Sequence, residues 1–191
     1  MNSIKEDQGE SQSRKVVAGL FLSLDGVVDS PESSPHKWTN QEIMERIAVG
    51  VAQADTVLVG SHTYSLLAQY WQLQSNDIPM ANFLNNSPKY VVSHTLDRLE
   101  WQPAILIKGG LFEELAKLKL SPGKNIQIPG SPTLVRSLLR EGLLDELTLN
   151  ICPVVVGSGT RLFDDLKQVN LKLVDSKAYS NGVVGVTYRP V

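Results

Sequence analysis

The sequence predicts an α/β protein with one mostly parallel central sheet and helices on both of its faces. Apolar runs typical of buried strands alternate with segments of helical periodicity along most of the 191 residues. Such alternation favours parallel strands joined by helical crossovers. Near the C-terminus the alternation ends, and two strand-like segments flank Asn181-Gly182, a dipeptide that favours a two-residue hairpin turn. We therefore expect a C-terminal antiparallel hairpin at one side of the sheet.

In the first half of the chain the predicted order is strand, helix, strand, helix, strand. The opening run, KVVAGLFLSL, is almost continuously apolar, which is typical of a strand buried on both faces. The segment 71–87 is polar and weakly periodic, so we expect a long loop with a short helical piece there. The predicted strands are 15–24, 55–60 and 89–93, and the predicted helices run from Thr39 or Asn40 to about Gln53 and from the end of the second strand to about Tyr70.

In the second half, strands and helices continue to alternate until the final hairpin. Strands are predicted over 104–109, 125–130, 145–157 and twice within 171–190, and helices over 111–120 and 132–142. One domain over 15–191 accounts for all of these elements, because this length is close to the usual domain size. Residues 1–14 are polar and lack an apolar h-region, so they predict a disordered tail and not a secretion signal.

Composition and charge exclude several functional classes. The chain has 18 basic and 20 acidic residues, a net charge of −2 and no basic cluster, so nothing favours nucleic acid or an anionic membrane as a partner. No apolar stretch is long enough to span a bilayer. The single cysteine, Cys152, lies in an apolar run and predicts a buried thiol and a reducing, cytoplasmic location. The three histidines are far apart in the chain and predict no metal site.

Three predicted strands end in small or hydroxyl-bearing residues. Ligands of open α/β sheets bind outside the carboxyl ends of the strands, and hydroxyls and the N–H groups of helix starts suit phosphate. Each end alone is also a common turn, and no G-x-G-x-x-G or P-loop motif occurs. Together the ends predict one crevice for a nucleotide. They are Gly60-Ser61-His62-Thr63, Ser93-His94-Thr95 and Gly130-Ser131-Pro132-Thr133.

Four segments resemble a known family in their order and spacing. They are SLDG (23–26), VLVGSHTY (57–64), PKYVVSHTL (88–96) and IPGSPTLVRSLLREGLLDELTLNICPVVVGSGTRLF (128–163). They are similar to the dihydrofolate reductase-like superfamily, and within it to the reductase domain of the riboflavin-biosynthesis deaminase-reductases and its stand-alone relatives. The resemblance covers nearly everything from Lys15 onward. It implies a three-layer dihydrofolate reductase-like fold, with a mostly parallel central sheet and a C-terminal antiparallel hairpin.

The resemblance also implies that NADPH binds across the three strand ends. Many relatives carry arginine where this chain has Ser61 and His94, and arginine is the side chain best suited to grip a 2′-phosphate. NADH therefore remains open as the cofactor. The residues implied to contact the dinucleotide are Gly60, Ser61, His62, Thr63, Ser93, His94, Thr95, Pro129, Gly130, Ser131, Thr133 and Leu134.

Three residues in and after the first loop are candidates for the substrate side of the site. Asp25 is expected to contact substrate or to supply the proton, or else to hold an Asp-Gly turn. Glu42 lies where pterin reductases of the family place their acid, or it complements a helix dipole. Trp38 is a stacking lid over the substrate or a hydrophobic staple. Burial beside Trp38 is expected to raise the pKa of either carboxyl group.

The resulting functional prediction is a nicotinamide-dependent reductase of a small heterocyclic substrate. The resemblance implies reduction of 5-amino-6-(5-phosphoribosylamino)uracil, an intermediate of riboflavin synthesis. The H-x-E and P-C-x-x-C signature of zinc deaminases is absent, so the chain carries no deaminase half. The alternatives are a dihydrofolate or pterin reductase, and a nucleotide-binding protein without turnover. Relatives are typically dimers, and the apolar late strands predict a homodimer through the C-terminal half.

Overall fold

The computed structural model describes residues 13–191, and within them an eight-stranded sheet forms the centre of the molecule. The predicted tail over 1–14 falls mostly outside the described residues. The strands are β1 (Val16–Ser23), β2 (Ala54–Gly60), β3 (Lys89–Val92), β4 (Ala104–Ile107), β5 (Asn125–Pro129), β6 (Glu146–Cys152), β7 (Leu171–Ala178) and β8 (Val184–Pro190). The helices are α1 (Pro35–Trp38), α2 (Gln41–Ala52), α3 (Ser61–Trp71), α4 (Pro79–Asn86), α5 (Leu111–Leu120) and α6 (Pro132–Arg140).

The order of strands across the sheet is β4-β3-β2-β5-β1-β6-β8-β7. The first six strands of this order are parallel, whereas β8 runs antiparallel to β6 and to β7. The turn between β7 and β8 contains Gly182 with φ of 86°, a conformation that glycine adopts without strain. The mostly parallel sheet and the C-terminal antiparallel hairpin predicted from sequence are therefore confirmed.

Helices cover both faces of the sheet, which makes three layers. On one face, α5 and α6 pack on β1, β5 and β6 in a cluster that includes Leu115, Leu138 and Leu147. On the other face, α2, α3 and α4 pack on β2 and β3 around Val59, and α2 also packs on the β7–β8 hairpin. The three-layer, dihydrofolate reductase-like α/β architecture is confirmed.

One predicted element differs in the structure, and one uncertain segment is resolved. The strand predicted over 145–157 ends at Cys152, because Pro153 has no N–H for the ladder. The N–H groups of Val156 and Gly157 turn instead toward the carboxylate of Asp25. The short helical piece expected within 71–87 is the two-turn helix α4, which starts at Pro79, a residue well suited to the first turn.

The boundary of the predicted tail is wrong at Arg14, which is buried. Its guanidinium group pairs with Asp55, donates 2.7 Å to Thr56 Oγ1 and donates 2.6 Å to the Lys124 carbonyl. A buried arginine is stable only when its donors are satisfied in this way. The sequence around Arg14 is polar and gives no sign of these partners, which lie at least 41 residues away.

Candidate active site

On one face of the sheet, Val17 and Gly19 of β1 and Gln127 and Pro129 of β5 are only partly buried, which leaves a cleft there. Along β1, buried Val16, Ala18, Leu20 and Leu22 alternate with partly exposed Val17, Gly19 and Phe21. Along β5, the partly exposed Gln127 and Pro129 alternate with buried residues in the same way. Central strands of a parallel sheet are normally covered on both faces. The expectation that the 15–24 strand is buried on both faces therefore holds at Phe21 and Ser23 but not at Val17 and Gly19, and this partly uncovered stretch forms the floor of the cleft.

The course of α2 explains why this face stays open. At its start, Ile43 packs against Tyr179 and Val183 of the C-terminal hairpin. At its end, Val51 packs with residues of β2, and the carbonyl of Gln53 accepts 3.0 Å from the N–H of Asn125 at the start of β5. The helix therefore crosses the sheet from the hairpin to the amino ends of β2 and β5. Gly19 of β1 and Gln127 and Pro129 of β5 remain only partly buried beside this crossing.

The carboxyl ends of β2 and β5 are in direct contact at the mouth of this cleft. The N–H of Gly60, the last residue of β2, donates 2.9 Å to Ser131 Oγ. Ser131 itself has φ of 62° and is buried, which positions it at the start of α6. A Cβ atom on Gly130, where φ is 106°, would lie 3.3 Å from Thr63 Cγ2. These glycines and serines therefore bring the starts of α3 and α6 side by side.

The end of β3 lies next to the end of β2. Val92 pairs with Gly60 in the parallel register, so Ser93 follows immediately beside the start of α3. Ser93 is buried, and its Oγ accepts from the N–H groups of Thr95 and Leu96 at 3.1 and 3.0 Å. Its hydroxyl therefore holds a local turn, while His94 and Thr95 are exposed at the edge. All three predicted strand ends thus meet along one edge of the sheet.

Two helix starts at this edge lack a side-chain cap in the described part of the chain. Neither Gly60 before α3 nor Ser131 before α6 caps the following helix through its side chain. The first-turn N–H groups of both helices are therefore open to an external acceptor, and both positive dipole ends point to the same place. This arrangement suits a pyrophosphate.

The sequence reasoning missed one arginine in this region, Arg136. It lies in α6 one turn after Thr133, and its Nη2 lies 3.4 Å from Thr133 Oγ1. Among residues 13–191 it forms no ion pair with a carboxylate. The helical spacing of Arg136 from Thr133 is visible in the sequence. The sequence alone, however, does not distinguish Arg136 from the other polar positions of an amphipathic helix.

Asp25 is tied into a turn and carries a strongly stabilised negative charge. Its carboxylate accepts from Ser23 Oγ at 2.7 Å and from the N–H groups of Val156 and Gly157 at 3.0 and 2.8 Å. These hydrogen bonds, that of Ser23 first, hold the pKa of Asp25 far below its usual range. The expectation that burial raises this pKa is wrong, because the loop after β6 supplies donors to the charged form. Asp25 therefore joins the 24–27 turn to the 153–157 segment.

Glu42 is likewise a structural carboxylate. It accepts from the hydroxyl and the N–H of Ser180 at 2.6 and 2.9 Å. These bonds, with Lys177 nearby, lower the pKa of Glu42, so the expected increase is wrong here too. Trp38 is half-buried in the same region, where Asn181 donates to its carbonyl and its ring packs with Ile43 and Tyr179. Glu42 and Trp38 therefore join the start of α2 to the turn of the C-terminal hairpin.

A separate groove of about 570 Å³ lies between α3 and the 95–101 segment. Its lining includes Tyr64, Gln69, Thr95, Arg98 and Trp101, and none of the residues that form the cleft floor. Of the three strand ends, only Thr95 lines this groove, whereas Gly60, Gly130 and Ser131 lie at the cleft. We therefore place the chemistry in the cleft.

Two further kinds of site find no support in residues 13–191. No cluster of three or more histidine, cysteine or acidic side chains there is arranged to hold a metal ion. None of the helices in this part of the chain is both long and apolar enough to cross a membrane.

Comparison with known proteins identifies relatives across nearly the whole chain. The chain is 33% identical over 183 residues to the uncharacterized protein YyaP of Bacillus subtilis, covering 93% of this chain and 95% of YyaP. Its fold matches a putative riboflavin biosynthesis protein from Shewanella with a TM-score of 0.74 at 20% identity, covering 93% of this chain and 99% of that one.

A second solved structure shares the fold over part of a longer protein. The deaminase and 5-amino-6-(5-phosphoribosylamino)uracil reductase of Thermotoga maritima matches with a TM-score of 0.67 at 14% identity, covering 94% of this chain and 57% of that one. The family model of the RibD C-terminal domain matches residues 14–185, which include every strand end that forms the cleft. The chain therefore belongs to the RibD C-terminal domain family.

Proposed function

We propose that this protein is an NADPH-dependent reductase of a small heterocyclic substrate, with 5-amino-6-(5-phosphoribosylamino)uracil as the model of that substrate. One observation carries the proposal. Two uncapped helix starts meet at the ends of β2 and β5, directly beside a partly uncovered face of the central sheet. A dinucleotide needs both features, because its phosphates require donors and its nicotinamide requires an apolar floor next to substrate.

The residues at the cleft fit this cofactor. The N–H groups at the starts of α3 and α6 would hold the pyrophosphate, and Gly130 lets the backbone approach it closely. His94 and Thr95 would lie toward the adenosine end, and Gly19 leaves room over the sheet for a flat ring. When bound, the nicotinamide supplies a hydride to a C=N or C=O group of the substrate. Because Ser61 and His94 stand where relatives have arginine, the preference over NADH is modest.

The direct test is oxidation of the reduced nicotinamide, followed by absorbance, with and without the model substrate. Oxidation that requires the substrate supports a reductase. Dihydrofolate in place of the uracil tests the pterin alternative. Stabilisation by NADPH without turnover of either compound would indicate a nucleotide-binding protein instead.

Replacing Arg136 tests the phosphate end of the site. Arg136→Gln should weaken NADPH binding about tenfold, the effect of losing one charge-assisted hydrogen bond. Arg140→Gln removes the same charge one turn further along α6 and serves as the matched control. Fluorescence titration of both variants measures the effect. Equal affinities in the two variants would show that Arg136 does not contact the cofactor.

The proton for the reaction is assigned to ordered water and not to Asp25 or Glu42, since both carboxyl groups are ionised and engaged in hydrogen bonds. Asp25→Asn should therefore retain single-turnover hydride transfer within about tenfold of the wild-type rate, whereas loss of a general acid costs roughly 10²-fold or more. Glu42→Gln is the companion variant. Stopped-flow oxidation across pH distinguishes the two cases, and a rate loss of 10²-fold with an altered pH profile in Asp25→Asn would restore its role as the acid.

The homodimer remains a proposal, now through the edge of the C-terminal hairpin. Val183 and Val186, two of the apolar residues of the late strands, pack within the chain. Leu173, Val174 and Val184 are instead exposed on β7 and β8, and β7 is an edge strand, which a second copy would cover. Light scattering at micromolar concentration should give twice the mass of the 21.0 kDa chain. A monomer mass would rule the proposal out.

A cytoplasmic location also stays a prediction.

A further inference from the structure

Two buried polar groups between α2 and the sheet have no hydrogen-bond partner in the described part of the chain. They are Oδ1 of Asn150, on β6, and the hydroxyl of Tyr179, just after β7. The Asn150 and Tyr179 side chains are 6% and 4% exposed. Polar groups at this depth are nearly always paired, because desolvation without a partner is unfavourable. An unpaired donor and acceptor side by side therefore indicate a partner that is not part of the chain.

The backbone at Gly185 brings these two groups to the same place. Gly185 pairs with Asn150 in the β6–β8 register. A Cβ atom on Gly185 would lie 2.9 Å from Tyr179 Cε2, 3.0 Å from Tyr179 Oη and 3.3 Å from Asn150 Oδ1. The tyrosine ring can lie against the β8 backbone only because this residue has no side chain. Gly185, Asn150 and Tyr179 are therefore packed together. The two polar side chains are here called the Asn150–Tyr179 pair.

The pair lies beside the floor of the cleft. Phe21 of β1 is in register with Asn150 and packs in the same cluster as Tyr179. Phe21 is only partly buried. Gly19 lies two residues earlier on the same face of β1, at the floor of the cleft. A flat ring over Gly19 would therefore contact Phe21, the residue that lies next to the pair.

The chemistry of the pair specifies what it can bind. Asn150 Oδ1 only accepts a hydrogen bond, so it needs an N–H donor. The Tyr179 hydroxyl can donate to a carbonyl, and burial raises its pKa, which keeps it protonated. An N–H next to a C=O is the lactam edge of a pyrimidinedione or an oxidised pterin ring.

We propose that the Asn150–Tyr179 pair is the subsite that recognises the lactam edge of the heterocyclic substrate. The inference rests on the proposed function, which supplies the heterocyclic ring of the substrate. The residues that it concerns are remote from the cofactor phosphates. It names a specificity determinant on β6 and at the β7–β8 hairpin, and it supplies partners for two buried polar groups that have none in the described part of the chain.

The test uses calorimetry with 5,6-diaminouracil and its 1,3-dimethyl analogue, which lacks the ring N–H donors. Wild-type protein should bind the first compound and bind the dimethyl analogue at least about tenfold more weakly, the factor for one lost hydrogen bond. Tyr179→Phe should lower the affinity for 5,6-diaminouracil about tenfold. Asn150→Leu, which keeps the side-chain branching and the number of heavy atoms, should do the same. Tyr188→Phe is the control, since Tyr188 pairs with Leu147 on the opposite face of the sheet.

Thermal unfolding separates recognition from a purely structural role. An unpaired hydroxyl in the free protein predicts that Tyr179→Phe has the same Tm as the wild type or a higher one. A lower Tm with unchanged binding would show that the pair holds a structural water, which would overturn the proposal. Equal binding of the two uracils, or unchanged affinity in both variants, would also overturn it.

Failure of the subsite can be distinguished from failure of the proposed reductase function. NADPH titration of the same variants should match the wild type, because the pair does not contact the helix starts. If the wild type binds no nicotinamide cofactor, the proposed function fails, while the uracil titrations still decide the subsite. If substrate-dependent NADPH oxidation is normal in Tyr179→Phe and Asn150→Leu, the subsite fails and the reductase stands.

Discussion

Gly130→Val is expected to weaken NADPH binding by roughly 100-fold, the scale of effect of losing one or two charge-assisted hydrogen bonds to phosphate. The backbone at Gly130 has φ of 106° and directly follows β5, beside the first turn of α3. A Cβ atom there would already be 3.3 Å from Thr63 Cγ2 in the first turn of α3. The two additional methyl groups of valine must therefore push the starts of α3 and α6 apart or project into the space for the pyrophosphate.

A matched variant separates this effect from backbone strain. Gly142, at the other end of α6, also has a positive φ, 65°, but nothing lies within 4 Å of its added Cβ. Gly142→Val should therefore lower the Tm by an amount similar to that for Gly130→Val, because a branched residue is strained at a positive φ. Only Gly130→Val should lose cofactor affinity. Fluorescence titration of both folded variants provides the measurement, and unchanged affinity in Gly130→Val would remove this edge from the cofactor site.

Lys89→Met is expected to remove a pH dependence of stability that amounts to as much as about 3 kcal/mol. Lys89 is fully buried at the start of β3, and its ammonium group donates to the carbonyls of Leu84 and Ser87 at 2.7 and 3.1 Å. It lies 4.6 Å from the ring centre of Trp101, and the described residues place no carboxylate beside it. Burial lowers the pKa of Lys89 from 10.5 to about 8.

The sign of the effect follows from proton binding. Between pH 8 and 10.5 the unfolded chain holds a proton on Lys89 that the folded chain has lost, so the free energy of unfolding increases as pH rises. Below pH 8 the folded state carries the full unfavourable effect of the buried charge. A shift of about 2.5 pH units corresponds to about 3 kcal/mol. The helix-end carbonyls and the Trp101 ring stabilise the charged form and reduce this value.

Urea unfolding at pH 7, 8, 9 and 10 tests this prediction. The wild type should gain stability relative to Lys89→Met as the pH rises. Lys108→Met is the control, since Lys108 is exposed and pairs with Asp97. Parallel stability curves for the wild type and Lys89→Met would show that the carbonyls and the ring hold the pKa of Lys89 near its ordinary value.

The elements of the fold follow from local patterns. Apolar runs predicted β2 and β5, helical stripes predicted α5 and α6, and Asn181-Gly182 predicted the hairpin. Asn40 caps α2 by accepting 3.0 Å from the N–H of Ile43, as one of the two residues expected to do so. Each of these features depends on residues within a few positions of one another, because strand and helix periodicity and turn preference are properties of short segments.

The sequence by itself determined the strands and helices, the glycines at the strand ends and the family resemblance, whereas the tertiary structure decided what the polar residues do. The pKa of Asp25 depends on N–H groups that lie 131 and 132 residues away, and Glu42 is engaged by Ser180, 138 residues away. The open floor over Gly19 depends on where α2 crosses the sheet. Hydrogen bonding and desolvation act through space, so a carboxylate, a buried arginine or an unpaired tyrosine acquires its role only from neighbours that the chain brings together on folding.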